Sequence, residues 1–371
     1  MKIPFYPYNK VFSSDREKYL DIFDKVSSKG AFIMQEELTN FEKNIADVSN
    51  CDYAIGVGNA TDALELILMA SELPKGGEIL FCSHTMMATA SSIFVAGYKP
   101  VPVEVSDDHN ISIEDIKKKI NSRTIAIMPT HLNGRMANMD EIIEVGKKNN
   151  LSIIEDAAQA LGAHVNQIKP GQVSLGACIS FYPAKTLGCF GDGGCVLTSN
   201  KKVAEKIFKI RDHGRDVNGQ ISEWGRNSRL DNLQAAILDY KLTKYNDLIS
   251  RRRVIAKQYN DTLEKYDFIY KPIFNDKDYS RFDVFQNYEI RIDQRDKFKN
   301  LLELEGISTL IQWSGQAAHQ HQIFEKIYNL TKTDNIINQS LMLPLNEYIT
   351  DGEMDYILKK LTNILDGFNG K

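Results

Sequence analysis

The chain is organised around the stretch Ile179-Ser-Phe-Tyr-Pro-Ala-Lys185-Thr-Leu-Gly-Cys-Phe-Gly-Asp-Gly-Gly-Cys195. Lys185 lies between a short apolar segment and a loop that contains four glycines. A lysine amine is protonated at neutral pH and captures carbonyl groups only when its pKa is lowered or a Schiff base has formed. Glycines permit the close approach of a backbone to a ligand. Because most lysines are exposed, the hypothesis that Lys185 carries a covalent cofactor depends on the rest of the sequence.

Composition excludes several classes of protein. A chain of 371 residues with 43% hydrophobic and 25% charged residues is typical of a globular protein of about two domains. A net charge of −4 offers no surface for nucleic acid, and the basic run at 251–253 falls within a helical pattern. No apolar run reaches the roughly 20 residues that cross a bilayer, and the N-terminus does not resemble a secretory signal. The sequence therefore predicts neither a nucleic-acid nor a membrane partner.

Cysteine and histidine spacing gives no sign of a metal site. Five cysteines without a CxxC pair argue against a disulfide framework and against zinc, and they favour a cytoplasmic protein. His319 and His321 are two residues apart, so they would not share the face of a helix.

Strand-like and helical patterns alternate along the first two thirds of the chain. The strand-like runs in this region are Tyr53–Val57, Glu78–Cys82, Val101–Val105, Thr124–Met128, Leu151–Glu155, Cys178–Tyr182 and Gly194–Thr198. This alternation predicts an α/β protein with a mostly parallel mixed sheet sandwiched by helices. We place a large domain with an N-terminal arm at 1–245 and a smaller C-terminal α+β domain at 246–371. A long helical pattern from Arg229 to about Lys265 would join them, and Val284–Ile292 would form a strand of the second.

Four loops could carry chemistry, because ligands of such sheets bind beyond the carboxyl ends of the strands. The first loop, Gly56–Thr61, resembles part of a dinucleotide fingerprint, but Thr61 replaces the third glycine and no acidic ribose partner follows. What remains is a helix N-terminus that suits a single phosphate. Asn59 and Thr61 could equally serve only as helix caps.

Asp156 ends an apolar strand 29 residues before Lys185. A carboxylate there could pair with a protonated pyridine nitrogen, although a helix cap is the simpler alternative. Ser180 could add a hydroxyl to the phosphate site, and the turn from Asn227 to Arg229 could contact an anion or simply begin a helix. A strand-end acid, a later lysine and hydroxyl-bearing loops together match the needs of pyridoxal 5′-phosphate (PLP).

The motifs resemble the DegT family of sugar aminotransferases, which are fold type I PLP enzymes of the aspartate aminotransferase superfamily. The resemblance covers nearly the whole chain. Its motifs are Gly58-Asn-Ala-Thr-Asp-Ala-Leu64, Glu155-Asp-Ala-Ala-Gln-Ala160, Ser180-Phe-Tyr-Pro-Ala-Lys185 and Asn227-Ser-Arg-Leu-Asp-Asn-Leu-Gln-Ala-Ala236.

The resemblance implies a role for each of these positions. Lys185 would form the aldimine with PLP and act as general acid and base, and Asp156 would pair with the pyridine nitrogen. The implied cofactor contacts are Gly58, Ala60, Thr61, Met86, Gln159, Ser180 and Asn227. Asn227 would reach the phosphate of the other subunit, which implies a homodimer with shared active sites. Ala60 stands where a glycine is common and Met86 where an aromatic ring is usual, but a thioether also packs on ring faces.

The implied reaction transfers an amino group from an amino acid, glutamate in similar enzymes, through pyridoxamine 5′-phosphate to a nucleotide-linked keto sugar. The product would enter a cell-surface glycan such as the O-antigen of lipopolysaccharide, or a secondary metabolite. Candidate substrate contacts are His84, Arg229, Gln312 and Trp313; Gln312-Trp-Ser-Gly-Gln316 replaces the family's usual His-Tyr-Pro-x-Pro segment. A dehydrating subgroup has histidine in place of the lysine, so Lys185 favours transamination. The alternatives are an amino-acid transaminase, a cysteine desulfurase that uses Cys189, and a non-catalytic regulatory homologue.

Overall fold

The computed structural model describes residues 1–274, 280–325 and 327–368. The strands are β1 (Tyr53–Val57), β2 (Glu78–Cys82), β3 (Lys99–Val103), β4 (Thr124–Met128), β5 (Ser152–Ile153), β6 (Glu155–Asp156), β7 (His164–Val165), β8 (Ala177–Ser180), β9 (Gly194–Thr198), β10 (Arg281–Phe282), β11 (Tyr288–Arg291) and β12 (Ser340–Leu343). The helices are α1 (Tyr8–Ser13), α2 (Arg16–Lys29), α3 (Glu36–Ser49), α4 (Ala60–Ala70), α5 (Met87–Val95), α6 (Ile113–Lys119), α7 (Met139–Asn149), α8 (Lys201–Ile210), α9 (Asn232–Leu242), α10 (Tyr245–Leu263), α11 (Arg295–Leu304), α12 (Thr331–Gln339) and α13 (Asp351–Asp366).

The central sheet has the spatial order β3-β2-β4-β5/β6-β8-β9-β1. β5 and β6 are two halves of one extended segment, since the backbone N–H of Ile154 between them still bonds to Ile127 of β4. The strands β3, β2, β4, β5/β6 and β8 pair in parallel, while β9 is antiparallel to both of its neighbours. Apolar clusters cover both faces of this sheet. The predicted mostly parallel mixed sheet, sandwiched by helices, is confirmed.

β9 begins with a glycine because its backbone meets the start of helix α4. A Cβ atom at Gly194 would lie 2.5 Å from the carbonyl carbon of Asn59 and 2.7 Å from the nitrogen of Ala60. Gly194 is paired with Ser180 of the neighbouring strand β8. The close approach therefore brings the end of β8 next to the first turn of α4.

We expect Gly194→Ala to lower the free energy of unfolding by about 1–3 kcal/mol, because backbone atoms must shift to admit the methyl group. Chemical denaturation measures the change. Gly352→Ala is the matched control: nothing lies within 4 Å of a Cβ there, and the residue lies in α13. Alanine should leave that helix unchanged or stabilise it by up to about 1 kcal/mol. Equal stability of the two variants would contradict the close-packing argument.

Besides shifts of one or two residues in the bounds of three strands, two predicted elements differ from the structure. The long helical pattern from Arg229 to about Lys265 forms two helices: the chain breaks between α9 and α10, where the Thr243 hydroxyl bonds back to the Tyr240 carbonyl and Lys244 leaves the helical conformation. The predicted strand from Val284 to Ile292 is confined to β11. Residues 284–287 turn away from the sheet, with Phe285 at a φ of 51°.

The apolar side chains of the C-terminal third form a core of their own. This cluster includes Ile255, Tyr259, Phe298 and Leu361, together with Ile3 from the N-terminal arm. The domain boundary at 245/246 stays a prediction. Within the described ranges, no helix has the length and apolar character needed to cross a membrane.

Candidate active site

A cavity of about 760 Å³ opens beyond the carboxyl ends of the parallel strands. It brings together residues that are distant in the sequence. The sequence-predicted residues that line it are Ala60, Thr61, Met86, Asp156, Gln159, Ser180, Lys185, Gln312 and Trp313.

One end of this cavity is formed by the first turn of α4. Asn59 caps the helix by accepting the N–H of Asp62 at 2.8 Å, and Ala60 and Thr61 follow it. The hydroxyl group of Ser180 lines the cavity beside this turn, because Gly194 joins β8 to the start of α4. Free N–H groups at a helix N-terminus and a nearby hydroxyl favour a phosphate group. Asn59 is therefore the helix cap, and phosphate binding by the turn at Ala60 and Thr61 stays a prediction.

Asp156 lies at the end of β6, and its carboxylate is held by donors on both oxygens. Oδ2 accepts the Thr89 hydroxyl at 2.6 Å, and Oδ1 accepts the Ala158 N–H at 3.2 Å and the Cys178 thiol at 3.4 Å. The side chain of Asp156 is 95% buried, yet it still lines the cavity. An ionised carboxylate in this position fits a protonated ring nitrogen.

Three threonine hydroxyls form a directed chain that ends on Asp156. Thr130 donates to Thr85 at 3.0 Å, and Thr85 lies 2.8 Å from Thr89. Because the carboxylate of Asp156 only accepts, Thr89 uses its single proton there, and Thr85 must donate to Thr89. All three threonines are buried. The chain fixes the position of Asp156 from outside the cavity.

Thr89→Val should lower kcat about tenfold, because it keeps the shape but removes the donor to Asp156 Oδ2 and the acceptor for the Thr85 hydroxyl proton. Thr89→Ser keeps the hydroxyl and should retain activity. Steady-state kinetics with both variants checks the prediction, with the KM of the amino donor expected to change little. Equal activity of the serine and valine variants would contradict it.

Lys185 is the last residue of the turn formed by residues 182–185, and its backbone N–H bonds to the Tyr182 carbonyl at 2.8 Å. Burial lowers the pKa of Lys185 to about 8, and the negative charge of Asp156 partly offsets this shift. A Cβ atom at Gly188 would lie 2.5 Å from the Pro183 carbonyl oxygen, so glycine is needed for this tight loop. A larger fraction of the amine is thus neutral at physiological pH than for an exposed lysine.

Gln286 holds the backbone on both sides of Lys185. Its Oε1 accepts the N–H of Thr186 at 2.8 Å, and its Nε2 donates to the Ala184 carbonyl at 2.9 Å. Sequence reasoning missed this residue, because no motif around Gln286 indicates that its side chain binds the backbone next to a lysine about 100 residues earlier in the chain.

The residues present fit PLP. Asp156 offers a carboxylate for the ring nitrogen, the turn at Ala60 and Thr61 offers N–H donors for phosphate, and Lys185 offers a partly neutral amine. Gln159 accepts the Asn133 N–H through its Oε1 at 2.8 Å, which leaves its Nε2 to donate to a ring oxygen. Met86 is 54% exposed and lines the cavity, where its thioether can pack on a ring face.

Four candidates do not line the cavity of this chain. The Gly58 N–H is taken by the Ser228 hydroxyl at 3.0 Å. Asn227 is exposed outside the cavity, and Arg229 pairs with Asp212 at 2.9 Å. His84 is buried behind Trp313, with ring centroids 5.2 Å apart.

His84 belongs to a buried polar cluster that sequence reasoning did not assemble. Its ligand-type atoms lie within 4.8 Å of those of His109 and Glu289, a spacing that could hold a metal ion. His109 Nδ1 and Glu289 Oε2 already bond to each other at 2.6 Å. Burial lowers the pKa of His84 to about 4, so its ring is neutral at physiological pH. The absence of a metal site stays a prediction.

The N-terminal arm contributes aromatic side chains that sequence reasoning also missed. Phe5, Tyr6 and Tyr8 line the cavity, and the Tyr6 hydroxyl donates to the Pro183 carbonyl at 3.2 Å. The sequence did offer a signal for these residues, because three aromatic side chains fall within the first eight positions. Asn287 completes the lining near Gln312.

The cysteines give no support to desulfuration. Cys189, the candidate nucleophile, is buried outside the cavity, and burial raises the pKa of its thiol to about 12. Cys178 lines the cavity, but burial raises the pKa of its thiol well above the usual value.

This sheet, with Lys185 and Asp156 in one cavity at its carboxyl edge, defines an enzyme of fold type I, the class whose members work with PLP. The chain belongs to the DegT/DnrJ/EryC1/StrS aminotransferase family, whose model matches residues 13–362. It is therefore an aminotransferase, and its family is PLP-dependent.

Two relatives and one solved structure illustrate the similarity. The chain is 32% identical to the "Pleiotropic regulatory protein" of Geobacillus stearothermophilus, covering 99% of this chain and 100% of that protein. It is 32% identical to the "UDP-2-acetamido-2-deoxy-3-oxo-D-glucuronate aminotransferase" of Pseudomonas aeruginosa, covering 91% and 94%. The crystal structure of DesV from S. venezuelae "in complex with ketimine intermediate" aligns with a TM-score of 0.94 at 29% identity, covering 99% of this chain and 100% of DesV.

Proposed function

We propose that this protein transfers an amino group from glutamate to a nucleotide-linked keto sugar. The observation that carries the proposal is the meeting of Lys185, Asp156 and the α4 N-terminus in one cavity of about 760 Å³. That volume admits a cofactor and the ring of a sugar together. The similarity to the UDP-2-acetamido-2-deoxy-3-oxo-D-glucuronate aminotransferase of Pseudomonas aeruginosa supports the sugar class.

When bound, PLP supplies an electron sink and carries the amino group between the two substrates. We propose that Lys185 Nζ holds it covalently at the aldehyde carbon and that the Asp156 carboxylate accepts the ring N–H. The N–H groups at Ala60 and Thr61 and the Ser180 hydroxyl would bind the phosphate. Met86 would pack on the ring face.

Lys185 also has a second task, as the base and acid of the reaction. Once released, its Nζ takes the proton from the α-carbon of the amino donor, and it returns a proton to the sugar carbon that receives nitrogen. Its pKa of about 8 suits both directions near neutral pH.

The pKa of Lys185 predicts how the apoenzyme captures PLP. Only the neutral amine attacks the aldehyde, so we expect the capture rate to rise about tenfold per pH unit below a pH of about 8 and to level off above it. Absorbance stopped-flow across this pH range measures the rate. Free Nα-acetyl-lysine is the control and should keep accelerating towards a pH of about 10. A parallel rise for both amines would contradict the lowered pKa.

We further propose a homodimer in which each subunit completes the other's site. Support comes from Asn227, which is exposed outside its own cavity, and from apolar side chains nearby on the loop, such as Trp224, whose exposed fraction is 96%. All five cysteines carry free thiols, which fits the cytoplasm as the place of action.

The deciding experiment loads the holoenzyme with glutamate and then offers nucleotide-linked keto sugars and ordinary keto acids. Mass spectrometry of the products should show an amino sugar. A keto acid that accepts nitrogen better than every sugar would replace this proposal with an amino-acid transaminase. Failure of the glutamate half-reaction would favour a regulatory homologue, and release of sulfide from cysteine would favour a desulfurase.

A further inference from the structure

Helix α9 holds the segment that follows Lys185 through two side chains. Gln234 binds both backbone groups of Phe190: its Oε1 accepts the N–H at 2.9 Å, and its Nε2 donates to the carbonyl oxygen at 2.9 Å. Lys241 Nζ donates to the Gly188 carbonyl oxygen at 2.5 Å. Because Gln234 and Lys241 are seven residues apart, they lie on the same face of the helix. This face therefore fixes two points of the chain just after the lysine.

The bond from Lys241 acts on a tight loop of six residues, 183–188, which we call the lysine loop. Gly188, the last of these residues, packs against the first carbonyl group of the loop. Gln286 holds the middle of the lysine loop, and Lys241 holds its end. Lys185 belongs to the same loop, so we expect a displacement of Gly188 to change where the Lys185 amine stands.

The surroundings of Lys241 favour its charged form in two ways. Its Nζ lies 4.9 Å from the ring centroid of Phe190 and 5.7 Å from that of Tyr19, and aromatic faces attract a cation. Its hydrogen bond to the Gly188 carbonyl oxygen is also stronger when the donor carries a charge. Lys241 faces a second cavity, of about 440 Å³, which Gly188 and Thr186 of the lysine loop also line.

Lys241 can lose this charge in moderately alkaline solution. Burial lowers the pKa of Lys241 to about 8, and the negative charges of Glu347 and Asp15 partly offset the shift. The amine therefore carries its charge below a pH of about 8 and loses it as the pH rises further. Both the hydrogen bond to Gly188 and the attraction to the aromatic rings should weaken with that loss.

The groups that face Lys241 have fixed charges or stay neutral in this range. Asp15 pairs with Lys244 at 2.8 Å, and Glu347 pairs with Arg252 at 2.8 Å. Asp247 and Arg251 of α10 complete the charged lining of the second cavity. Burial raises the pKa of the other titratable groups beside Lys241, which are Tyr6, Tyr19, Tyr348 and Cys189. Lys185 also lines the second cavity, and it is common to the parent enzyme and to every Lys241 variant.

We propose that Lys241 is a positioning residue, whose ammonium group holds the lysine loop against α9 and so places Lys185 Nζ for proton transfer. The inference deepens the proposed function, because it concerns the base on which that function depends. Lys241 touches neither the cofactor cavity nor the reacting atoms, and it acts through the Gly188 carbonyl group.

Two substitutions remove the titration of Lys241 in different ways. Lys241→Met removes both the donor and the charge. Lys241→Arg keeps both at every pH, and the second cavity has room for the longer side chain. At pH 7 we expect the glutamate half-reaction of the Lys241→Met holoenzyme to be about tenfold slower than that of the parent, and that of Lys241→Arg to lie within about twofold. The glutamate concentration that gives half of the maximal rate should change little.

Raising the pH to 9.5 separates this role from a merely structural one. The parent should slow about three- to tenfold relative to Lys241→Arg and approach the rate of Lys241→Met, because its donor becomes neutral. The other titrating groups are common to the three proteins, so the ratios of their rates isolate Lys241. Ratios that stay constant between pH 7 and pH 9.5 overturn the inference. If Lys241→Met does not fold, the comparison with Lys241→Arg decides.

Backbone hydrogen exchange of the holoenzymes gives a readout that is independent of activity. The amides of Thr186 and Cys189 are hydrogen-bonded, and the peptide that contains them should exchange at least about threefold faster in Lys241→Met than in the parent at pH 7. Lys244→Met is the matched control, since Lys244 lines the same cavity but pairs with Asp15; it should leave this exchange unchanged. Equal exchange in the parent and Lys241→Met overturns the inference. If glutamate does not react with the parent at all, the proposed function falls, and the exchange rates alone decide the role of Lys241.

Discussion

Lys185→Ala should lose turnover by about 10⁴-fold or more, because one substitution removes both the covalent holder of PLP and the base that moves the proton. The cavity keeps its phosphate and ring contacts, so the variant should still bind PLP, but without the absorption band of the lysine-bound form. Absorbance spectra and amino-sugar formation measure the two losses together.

Lys43→Ala, on the exposed side of α3, is the control for removal of a lysine and should behave as the parent enzyme. Matching unfolding curves for the two variants would exclude a folding defect. If Lys185→Ala retained both the band and turnover, the role of this lysine would have to be abandoned.

Asp156→Asn should reduce kcat about 10³-fold, since the neutral amide cannot stabilise a proton on the ring nitrogen and the electron sink is lost. The asparagine has nearly the same shape, but it presents an NH₂ group to one of the donors that now bind the carboxylate, Thr89 or Ala158. Pre-steady-state measurement of the glutamate half-reaction isolates this effect from binding of the sugar.

Asp47→Asn, exposed on α3, controls for the lost charge. A glutamate half-reaction in Asp156→Asn that stays within about tenfold of the parent rate would contradict the ring-nitrogen role.

These two residues were identifiable as candidates because their motifs can be combined along the sequence, although each signal is weak when taken alone. Asp156 follows a short apolar strand, and Lys185 stands between a strand and a glycine loop. Strands β1, β2, β4 and β9 also match their predicted bounds. Their apolar runs end at turn residues, and a fully buried strand needs no information from distant parts of the chain.

The C-terminal part was less predictable. The segment before β11 reads as strand, yet it turns so that Gln286 can reach Lys185 and Asn287 can reach the cavity. Local preference for strand is weak there, and the contacts of the tertiary structure decide the conformation. For the same reason the helical pattern after Arg229 gave no warning of the break before α10.

The sequence by itself determined the class of fold and proposed Lys185, Asp156 and the turn at Ala60 and Thr61 as site residues, because each depends on the periodicity or loop chemistry of a short segment. Only the tertiary structure decided what surrounds them. Thr89 reaches Asp156 across 67 residues, and Asn133 reaches Glu289 across 156. Periodicity tells which face of an element is buried, but not which distant side chain lies opposite. The donors and acceptors that surround the site therefore became visible only in the folded chain.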